Sequence, residues 1–318
     1  MNPLKNSRII VTGSLGMDVI MDFPGRFADR IMPDKLHQIS LSFLVDTMKR
    51  NFGGTAGNIA YSLKLLGMEP LLVSIAGSDF GPYKKFLEKH KINTSAIVIR
   101  KDLPTSTYTV ITDKDDNQIG SFYLGPTSFA HELDITKALP AGFIVIAPTA
   151  PKGMMKYVKD AITLKMPYLF DPAFQIETFS AEELKHAISH AKILIGNDYE
   201  IALMEKKLGY SHAELLKMVP VLITTLGGKG SRIDTETEHI EIGVAKVSSV
   251  VDPTGAGDAY RAGFLAGYLC GKDLKSSGRM GSLAAAYAVE NYGTVTHAYT
   301  QDQFQKRYLQ NFKEEIFL

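Results

Sequence analysis

A short stretch at residues 252–264, DPTGAGDAYRAGF, combines two carboxylates with a Gly-Ala-Gly turn at the start of a helical pattern. Because Gly255 and Gly257 lack a Cβ atom, the backbone can follow a tight path there. The apolar spacing that follows predicts a helix beginning near Gly257. The first N–H groups of a helix lack partners and lie at the positive end of its dipole, so the stretch predicts a phosphate site. The alternative is a simple helix cap made by Asp258.

A second glycine-rich stretch, RNFGGTAGNIAYSLKLLG at residues 50–67, also precedes a helical pattern. Gly53 and Gly54 would let the backbone approach a ligand closely, and Asn58 would follow one turn into the helix with an amide that donates and accepts. The stretch lacks the G-x-G-x-x-G spacing of a dinucleotide fingerprint, and the chain has no G-x-x-x-x-G-K-[ST] sequence. Neither dehydrogenase chemistry nor a P-loop is therefore indicated.

Two further stretches place acids where α/β sheets bind ligands. In VTGSLGMDVI, Asp18 is expected at the carboxyl end of the first strand, where it could accept hydrogen bonds from the vicinal hydroxyls of a ribose. In IGNDYEIA, Asn197 and Glu200 are expected at a strand end and one helical turn later, which would let them orient water around Mg²⁺ or a phosphate. The plainer alternatives are a solvated loop acid and a helix cap.

The elements that must hold these residues alternate between strands and helices. Apolar runs such as RIIVTG, PLLVSIAG and FIVIAP are separated by helical patterns, which predicts a mostly parallel sheet covered on both faces. Residues 20–50 and 104–124 depart from this alternation. In the second segment, STYTVIT and QIGSFYL flank a turn signal and predict a β-hairpin. Because neither segment could bury a core alone, we expect a small β-sheet that acts as a lid, a dimer interface, or both.

Charge and composition exclude several classes of protein. The 318 residues include 35 basic and 34 acidic side chains, a formal net charge of +1, and 45% are hydrophobic. This balance predicts no nucleic-acid partner and no membrane surface as partner. No stretch has the length of a membrane span, and the first residues lack the apolar run of a signal peptide. We therefore expect a single domain over residues 1–318, located in the cytoplasm.

The two glycine-rich stretches resemble the signatures of the ribokinase-like (PfkB) family of carbohydrate and nucleoside kinases, and the resemblance covers essentially the whole chain. It implies an α/β fold, namely a three-layer Rossmann-type domain with a mostly parallel central sheet and a small β-sheet lid. It also implies an anion hole at Gly255, Ala256 and Gly257, with Asp258 as the catalytic base. Asp252 would position the acceptor hydroxyl or help to bind a monovalent cation such as K⁺, which many members use.

The same resemblance assigns the phosphate donor. The stretch ITTLGGKGS looks like the family's nucleotide loop, so Thr225, Gly227 and Gly230 would line the phosphates and ribose of ATP. Asn197 and Glu200 match the family's Asn-x-x-Glu motif and would hold Mg²⁺ through water. The resemblance therefore implies ATP and Mg²⁺ as the groups that take part in the reaction.

Further motifs, FPGRF, LHQISLSFLVD and NDYE, are similar to the adenosine kinase branch of the family. The positions that correspond to its sugar-binding residues are Ser14, Asp18, Gly54 and Asn58. In that branch aromatic lid residues stack on adenine, and the matching positions are Tyr108 and Phe122, although each could be ordinary packing within the lid sheet. Gln175 stands at one of two positions where the branch tends to have glutamines, whereas Phe174 occupies the other, which leaves the base contacts open.

We expect the protein to transfer a phosphoryl group from ATP to the 5′-hydroxyl of adenosine or a closely related nucleoside, in purine salvage. A sugar kinase for ribose or fructose is the alternative enzyme, and a non-catalytic nucleotide-binding protein is the alternative outside that class. Because it begins a helix, Asp258 is expected to have a lowered pKa. Apolar lid residues such as Phe43, Leu44 and Val110 predict a homodimer joined through the lid sheets, each lid closing over its own nucleoside.

Overall fold

A computed structural model describes residues 8–32, 40–115 and 117–318. Residues 33–39, which belong to the lid segment 20–50 and overlap LHQISLSFLVD, lie outside the described residues. The strands are β1 (Ile9–Thr12), β2 (Gly16–Asp22), β3 (Thr47–Gly53), β4 (Pro70–Gly77), β5 (Asn93–Arg100), β6 (Ser106–Thr112), β7 (Gln118–Tyr123), β8 (Phe143–Ile146), β9 (Tyr168–Phe170), β10 (Ile193–Asn197), β11 (Val221–Thr225), β12 (Ser231–Asp234) and β13 (His239–Ile242). The α-helices are α1 (Thr55–Leu65), α2 (Gly81–Lys89), α3 (Pro151–Thr163), α4 (Ala181–Ser189), α5 (Asp198–Leu208), α6 (His212–Leu216), α7 (Ala256–Leu269), α8 (Leu274–Val289) and α9 (Gln301–Phe312). Over the described ranges, no helix combines the length and apolarity that a bilayer crossing needs.

The central sheet is mostly parallel, as the alternation of strands and helices predicts. Its order is β13-β12-β11-β10-β9-β8-β1-β4-β5, and the strands from β11 to β5 run parallel. β12 and β13 add an antiparallel hairpin at one edge. The chain passes from β1 to one side through β4 and later returns to the other side through β8. Sheets with such a reversal bind ligands at the carboxyl ends of the strands beside it.

The helices form two layers around this sheet. Ile9 and Val11 of β1 pack into one apolar core, whereas Ile10 packs into the other. This alternation is what a strand buried on both faces produces. Residues of α1, α2, α7, α8 and α9 fill the first core, and residues of α3, α4, α5 and α6 fill the second. The predicted three-layer α/β fold is therefore confirmed.

A separate four-stranded sheet has the order β3-β2-β6-β7 and is called the small sheet below. β6 and β7 pair antiparallel, so the predicted hairpin is confirmed. β2 pairs antiparallel with β3 and parallel with β6. The small sheet begins at Gly16, four residues before the first predicted lid segment, and β3 runs on to Gly53 at the start of α1. The edge strand β3 therefore runs directly into the glycine-rich stretch that precedes α1.

Candidate active site

The start of α7 carries backbone N–H groups that have no acceptor. Gly255 precedes the helix in a left-handed conformation (φ +80°), which residues with a side chain rarely adopt. Ala256 donates its N–H to Pro253 O at 3.1 Å, so this predicted anion-hole group is already engaged. The N–H groups of Gly257 and Asp258 have no acceptor among the described residues. These two donors, at the positive end of the helix dipole, are available to a phosphate.

Asp258 is oriented by a side chain from the other glycine-rich stretch. Asn58 Nδ2, on α1, donates to Asp258 Oδ2 at 2.8 Å. Burial raises the pKa of Asp258 to about 6, against the lowering effects of Arg261 and of the Asn58 hydrogen bond. The expectation of a lowered pKa is therefore wrong, because the loss of hydration outweighs the helix dipole. A carboxylate that titrates this close to neutral pH is suited to accept a proton.

A buried ion pair that the sequence pattern does not predict joins the second turn of α7 to the residue after β9. Arg261 Nη2 donates to Asp171 Oδ1 at 2.9 Å, and Arg261 Nε lies 2.5 Å from Asp171 Oδ2. The two residues are 8% and 1% exposed. Burial opposes the charged form of Arg261, but the carboxylate of Asp171 outweighs it, so the pKa of Arg261 is raised. The one available signal was the position of Asp171 directly after a buried apolar strand.

Four side chains form a row across one face of the small sheet. In the strand register Asp18 lies between Asn51 and Tyr108, and Tyr108 lies opposite Phe122. Residues paired in this way point to the same face, so an amide, a carboxylate and two aromatic rings are aligned. Tyr108 and Phe122 are 36% and 46% exposed, which leaves their rings open to a ligand. Asn51 is the member that the sequence analysis missed.

Asp18 lies within β2 and not in a loop at the end of β1, which corrects the sequence-based placement. Its carboxylate rests against Gly53 of β3, where a Cβ atom would overlap it. Burial, and then the negative charge of Asp252, raise the pKa of Asp18 to about 6. The charge of Asp18 in turn contributes to the raised pKa of Asp258. The acid of the small sheet and the acid of α7 therefore belong to one electrostatic cluster.

Three other predicted substrate-binding residues also hold the backbone around the site. Gly54 has φ +89°, and a Cβ atom there would lie 2.5 Å from Ser14 O. Ser14 Oγ accepts a hydrogen bond from the N–H of Thr55 at 3.2 Å, at the first residue of α1. The two carboxylate oxygens of Asp252 accept backbone N–H groups at 2.9 and 3.0 Å. These residues fix the loops that meet at the site.

Asn197 and Glu200 meet at the start of α5, where they cap the helix. Asn197 Oδ1 accepts from Glu200 N, and Glu200 Oε2 accepts from Asn197 N, each at 2.8 Å. The helix-cap alternative therefore describes their observed contacts. Burial is the main cause of a raised pKa at Glu200. In the part of the chain that is described, no three His, Cys, Asp or Glu side chains are grouped for a metal ion.

A cavity of about 300 Å³ opens beside the start of α7. Gly227 and Gly230 of the predicted nucleotide loop line it together with Ala256 and Tyr260 of α7. The apolar remainder of its wall includes Val244, Val247, Val250, Ala285, Ala286 and Val289. Thr225 ends β11 immediately before the loop. An apolar recess of this size next to unpaired N–H groups fits a nucleotide whose phosphates reach the helix start.

The side chain of Gln175 has a hydrogen bond to Thr178 and none to another candidate residue among those described. It is buried in the turn that follows β9, and its side-chain oxygen accepts from Thr178 Oγ1 at 3.3 Å. The adjacent Phe174 is 65% exposed. Of the two residues after β9 that the sequence analysis singled out, the aromatic one is therefore the more accessible.

Comparison with known proteins agrees with this geometry. The model of the pfkB family of carbohydrate kinases matches residues 10–301. The nucleoside kinase of Methanocaldococcus jannaschii is 32% identical over 309 residues, which is 95% of this chain and 97% of that protein. The structure of Burkholderia thailandensis nucleoside kinase in complex with inosine has a TM-score of 0.88 and 32% identity, covering 96% of this chain and 99% of that one. Its complex with ADP-inosine has a TM-score of 0.86 and 33% identity, covering 96% and 97%.

The family model spans both glycine-rich stretches, the nucleotide loop and the small sheet, and the similar proteins are matched over nearly their whole length. The glycine turn, the acid in the first turn of α7 and the aligned row of the small sheet thus occur in a chain with the complete architecture of these enzymes. The chain belongs to the pfkB family of carbohydrate kinases and is a phosphotransferase.

Proposed function

We propose that the protein is a nucleoside kinase that phosphorylates the 5′-hydroxyl of a purine nucleoside, with adenosine as the substrate predicted from the sequence. The observation that carries this proposal is the row Asn51, Asp18, Tyr108 and Phe122 on one face of the small sheet. A ribose would face the carboxylate while the base stacks against the exposed rings. The similarity to enzymes named nucleoside kinases, one of them bound to inosine, supports a purine nucleoside and a place in purine salvage.

The proposed phosphate donor is ATP. Its base and ribose would occupy the cavity beside Gly227 and Gly230, and its phosphates would meet the N–H groups of Gly257 and Asp258. The similar Burkholderia enzyme has been solved with ADP-inosine, which supports two neighbouring nucleoside sites. Mg²⁺, when bound, would neutralise phosphate oxygens, with Asn197 and Glu200 facing its water ligands. A monovalent cation near Asp252 stays a prediction from the family resemblance.

The chemistry assigned to this chain is proton removal and charge stabilisation. Asp258 would take the proton of the 5′-hydroxyl as the oxygen bonds to phosphorus, and Asn58 would hold the carboxylate in place. Phosphoryl transfer through a loose transition state depends mainly on positioning and electrostatics. Closure of the small sheet over the nucleoside would exclude water and suppress hydrolysis of ATP.

A screen of ADP release over nucleosides and sugars tests the proposed function. We expect purine nucleosides, adenosine included, to be phosphorylated far better than ribose or fructose. A preference for a free sugar would favour the alternative sugar kinase. Binding of ATP without turnover of any acceptor would favour the non-catalytic nucleotide-binding protein.

The stacking role of Phe122 gives a first prediction for a variant. Phe122→Ala should raise the KM for adenosine roughly tenfold to a hundredfold, because a ring lost from a stacking wall costs about 1–3 kcal/mol. The weaker activity with ribose should change by less than about threefold, since ribose has no base to stack. Steady-state kinetics with both acceptors measures the difference. Phe317→Ala is the control, because Phe317 is an exposed aromatic residue (67%) that belongs neither to the small sheet nor to the candidate site.

The face of the small sheet opposite Phe122 supports the proposal of a homodimer joined through the small sheets. This face carries Met48, Ile119 and Tyr123, which are 55%, 41% and 44% exposed. Ile119→Asp should therefore shift the protein from dimer to monomer, because it places a charge in an apolar contact. Light scattering at micromolar concentration measures the mass, and Phe122→Ala should remain a dimer. A monomeric wild-type protein under these conditions would contradict the interface.

A further inference from the structure

Among the described residues, the buried Arg261 makes one side-chain hydrogen bond, from Nη2 to Asp171. Its Nη2 and Nε are directed at Asp171. Its Nη1 lies 2.8 Å from the position that a Cβ atom would take on Gly257, and it donates to no acceptor among the described residues. Arg261 follows Gly257 by four positions, so both lie on the same side of α7. The third guanidinium nitrogen therefore lies against the turn that presents the unpaired N–H groups.

The charges around this nitrogen indicate what it faces. Besides Asp171, the carboxylates of Asp258 and Glu200 stabilise the positive charge of Arg261 and help to raise its pKa. The residue as a whole is 8% exposed, and Nη1 is not among the fully enclosed side-chain atoms without a partner, so a ligand at the start of α7 could reach this nitrogen. A donor left unpaired in this setting, beside two unpaired backbone N–H groups, indicates an anionic ligand.

We propose that Arg261, held by Asp171, donates a hydrogen bond from Nη1 to the phosphoryl group that is transferred at the start of α7. This inference rests on the proposed kinase function and adds a side chain to a site otherwise built from backbone. In the step, the 5′-oxygen forms its bond to phosphorus, the bond from phosphorus to the ADP oxygen breaks, and Asp258 takes the hydroxyl proton. Arg261 keeps its protons throughout and offsets charge on the equatorial oxygens.

A purely structural role of the ion pair is the competing explanation, and a paired substitution separates the two. Arg261→Met alone leaves Asp171 buried without a partner, which is destabilising whatever the role of Arg261. Arg261→Met combined with Asp171→Asn removes both charges, and such replacements of buried pairs are often close to neutral for stability. The two lost charges also act on Asp258 in opposite directions, so the acid limb of the pH profile should move little.

The expected result is a folded double variant with a melting temperature near that of the wild type and a kcat lowered about 10²–10³-fold, the usual effect of one lost transition-state donor. The KM for the nucleoside should change by less than about threefold, because the small sheet is untouched. Arg261→Lys should keep more activity than the double variant, since lysine keeps the positive charge but lacks the forked N–H donors of the guanidinium group. A double variant with kcat within about threefold of the wild type would overturn the proposal and leave the pair a structural one.

Nucleotide binding provides a readout that does not depend on the acceptor. Titration calorimetry should show that the double variant binds ADP within about twofold of the wild type but binds AMP-PNP about tenfold more weakly, because only AMP-PNP carries a γ-phosphoryl group. Equal losses for both nucleotides, or no loss for either, would contradict the contact. If the wild type binds both nucleotides but phosphorylates no nucleoside, the proposed function fails, while the difference between the two nucleotides still tests Arg261.

Discussion

Asp258→Asn should lower kcat by about 10²–10⁴-fold, the usual contribution of a positioned general base, while nucleoside binding stays nearly unchanged. The substitution keeps the size of the side chain and an oxygen that can accept from Asn58 Nδ2. It removes only the ability to take the proton of the 5′-hydroxyl. Pre-steady-state kinetics measures the chemical step, and calorimetry with the nucleoside measures binding.

The control for this variant is an acid at the same position of another helix, away from the site. Asp302 lies in the first turn of α9, as Asp258 does in α7, and Asp302→Asn should leave kcat unchanged. If the chemical step of Asp258→Asn remained within tenfold of the wild type, Asp258 would not be the base. The N–H groups of Gly257 and Asp258 would then carry the catalysis without it.

The local part of the site follows from the sequence because glycines leave few conformations to choose from. The turn contains Gly255 in a left-handed conformation, and the helix after it shows apolar residues at a spacing of about 3.6. Both features can be predicted from the sequence. The predicted hairpin likewise follows from alternation and a turn signal. Register within the small sheet does not follow in this way, since the pairing of β2 with β6 joins segments that are distant in sequence. The alignment of Asp18 with Tyr108 and Phe122 therefore required the structure.

The Asp171–Arg261 pair shows a second limit of sequence reasoning. The two residues are 90 positions apart, and they meet because the residue that follows β9 lies against the second turn of α7. The placement of Asp18 shows a third, since the chain leaves β1 at Thr12 and enters the small sheet at Gly16 without a change in composition. The direction of the pKa shift of Asp258 cannot be predicted from the sequence for a related reason. A helix dipole can be inferred from sequence, whereas the burial that outweighs it depends on the packed surroundings.

The raised pKa values of Asp258 and Asp18 predict that activity disappears on the acid side of neutrality. Each carboxylate has a pKa of about 6 and must be ionised, one to accept the proton and the other to bind the ribose hydroxyls. From pH 7.5 to pH 4.5, kcat/KM should fall about 30-fold if one ionisation matters and about 10³-fold if both do. A pH profile of kcat/KM measures the slope. Activity that stays constant down to pH 5 would contradict the role of both acids.

Asp18→Asn separates the two ionisations. Its kcat/KM should be lower at every pH, the acid limb should have the slope of a single proton, and its midpoint should lie lower because a neighbouring negative charge is gone.

The stability of the folded protein should change with pH in the opposite direction to its activity. Burial raises the pKa of Asp258, so between pH 4 and 6 the folded protein holds more protons than the unfolded chain and loses stability as the pH rises. Asp258→Asn should therefore melt at a higher temperature than the wild type at pH 7.5, with a smaller difference at pH 5. A variant that is less stable than the wild type at pH 7.5 would show that the ionised carboxylate of Asp258 stabilises the fold, contrary to its burial cost.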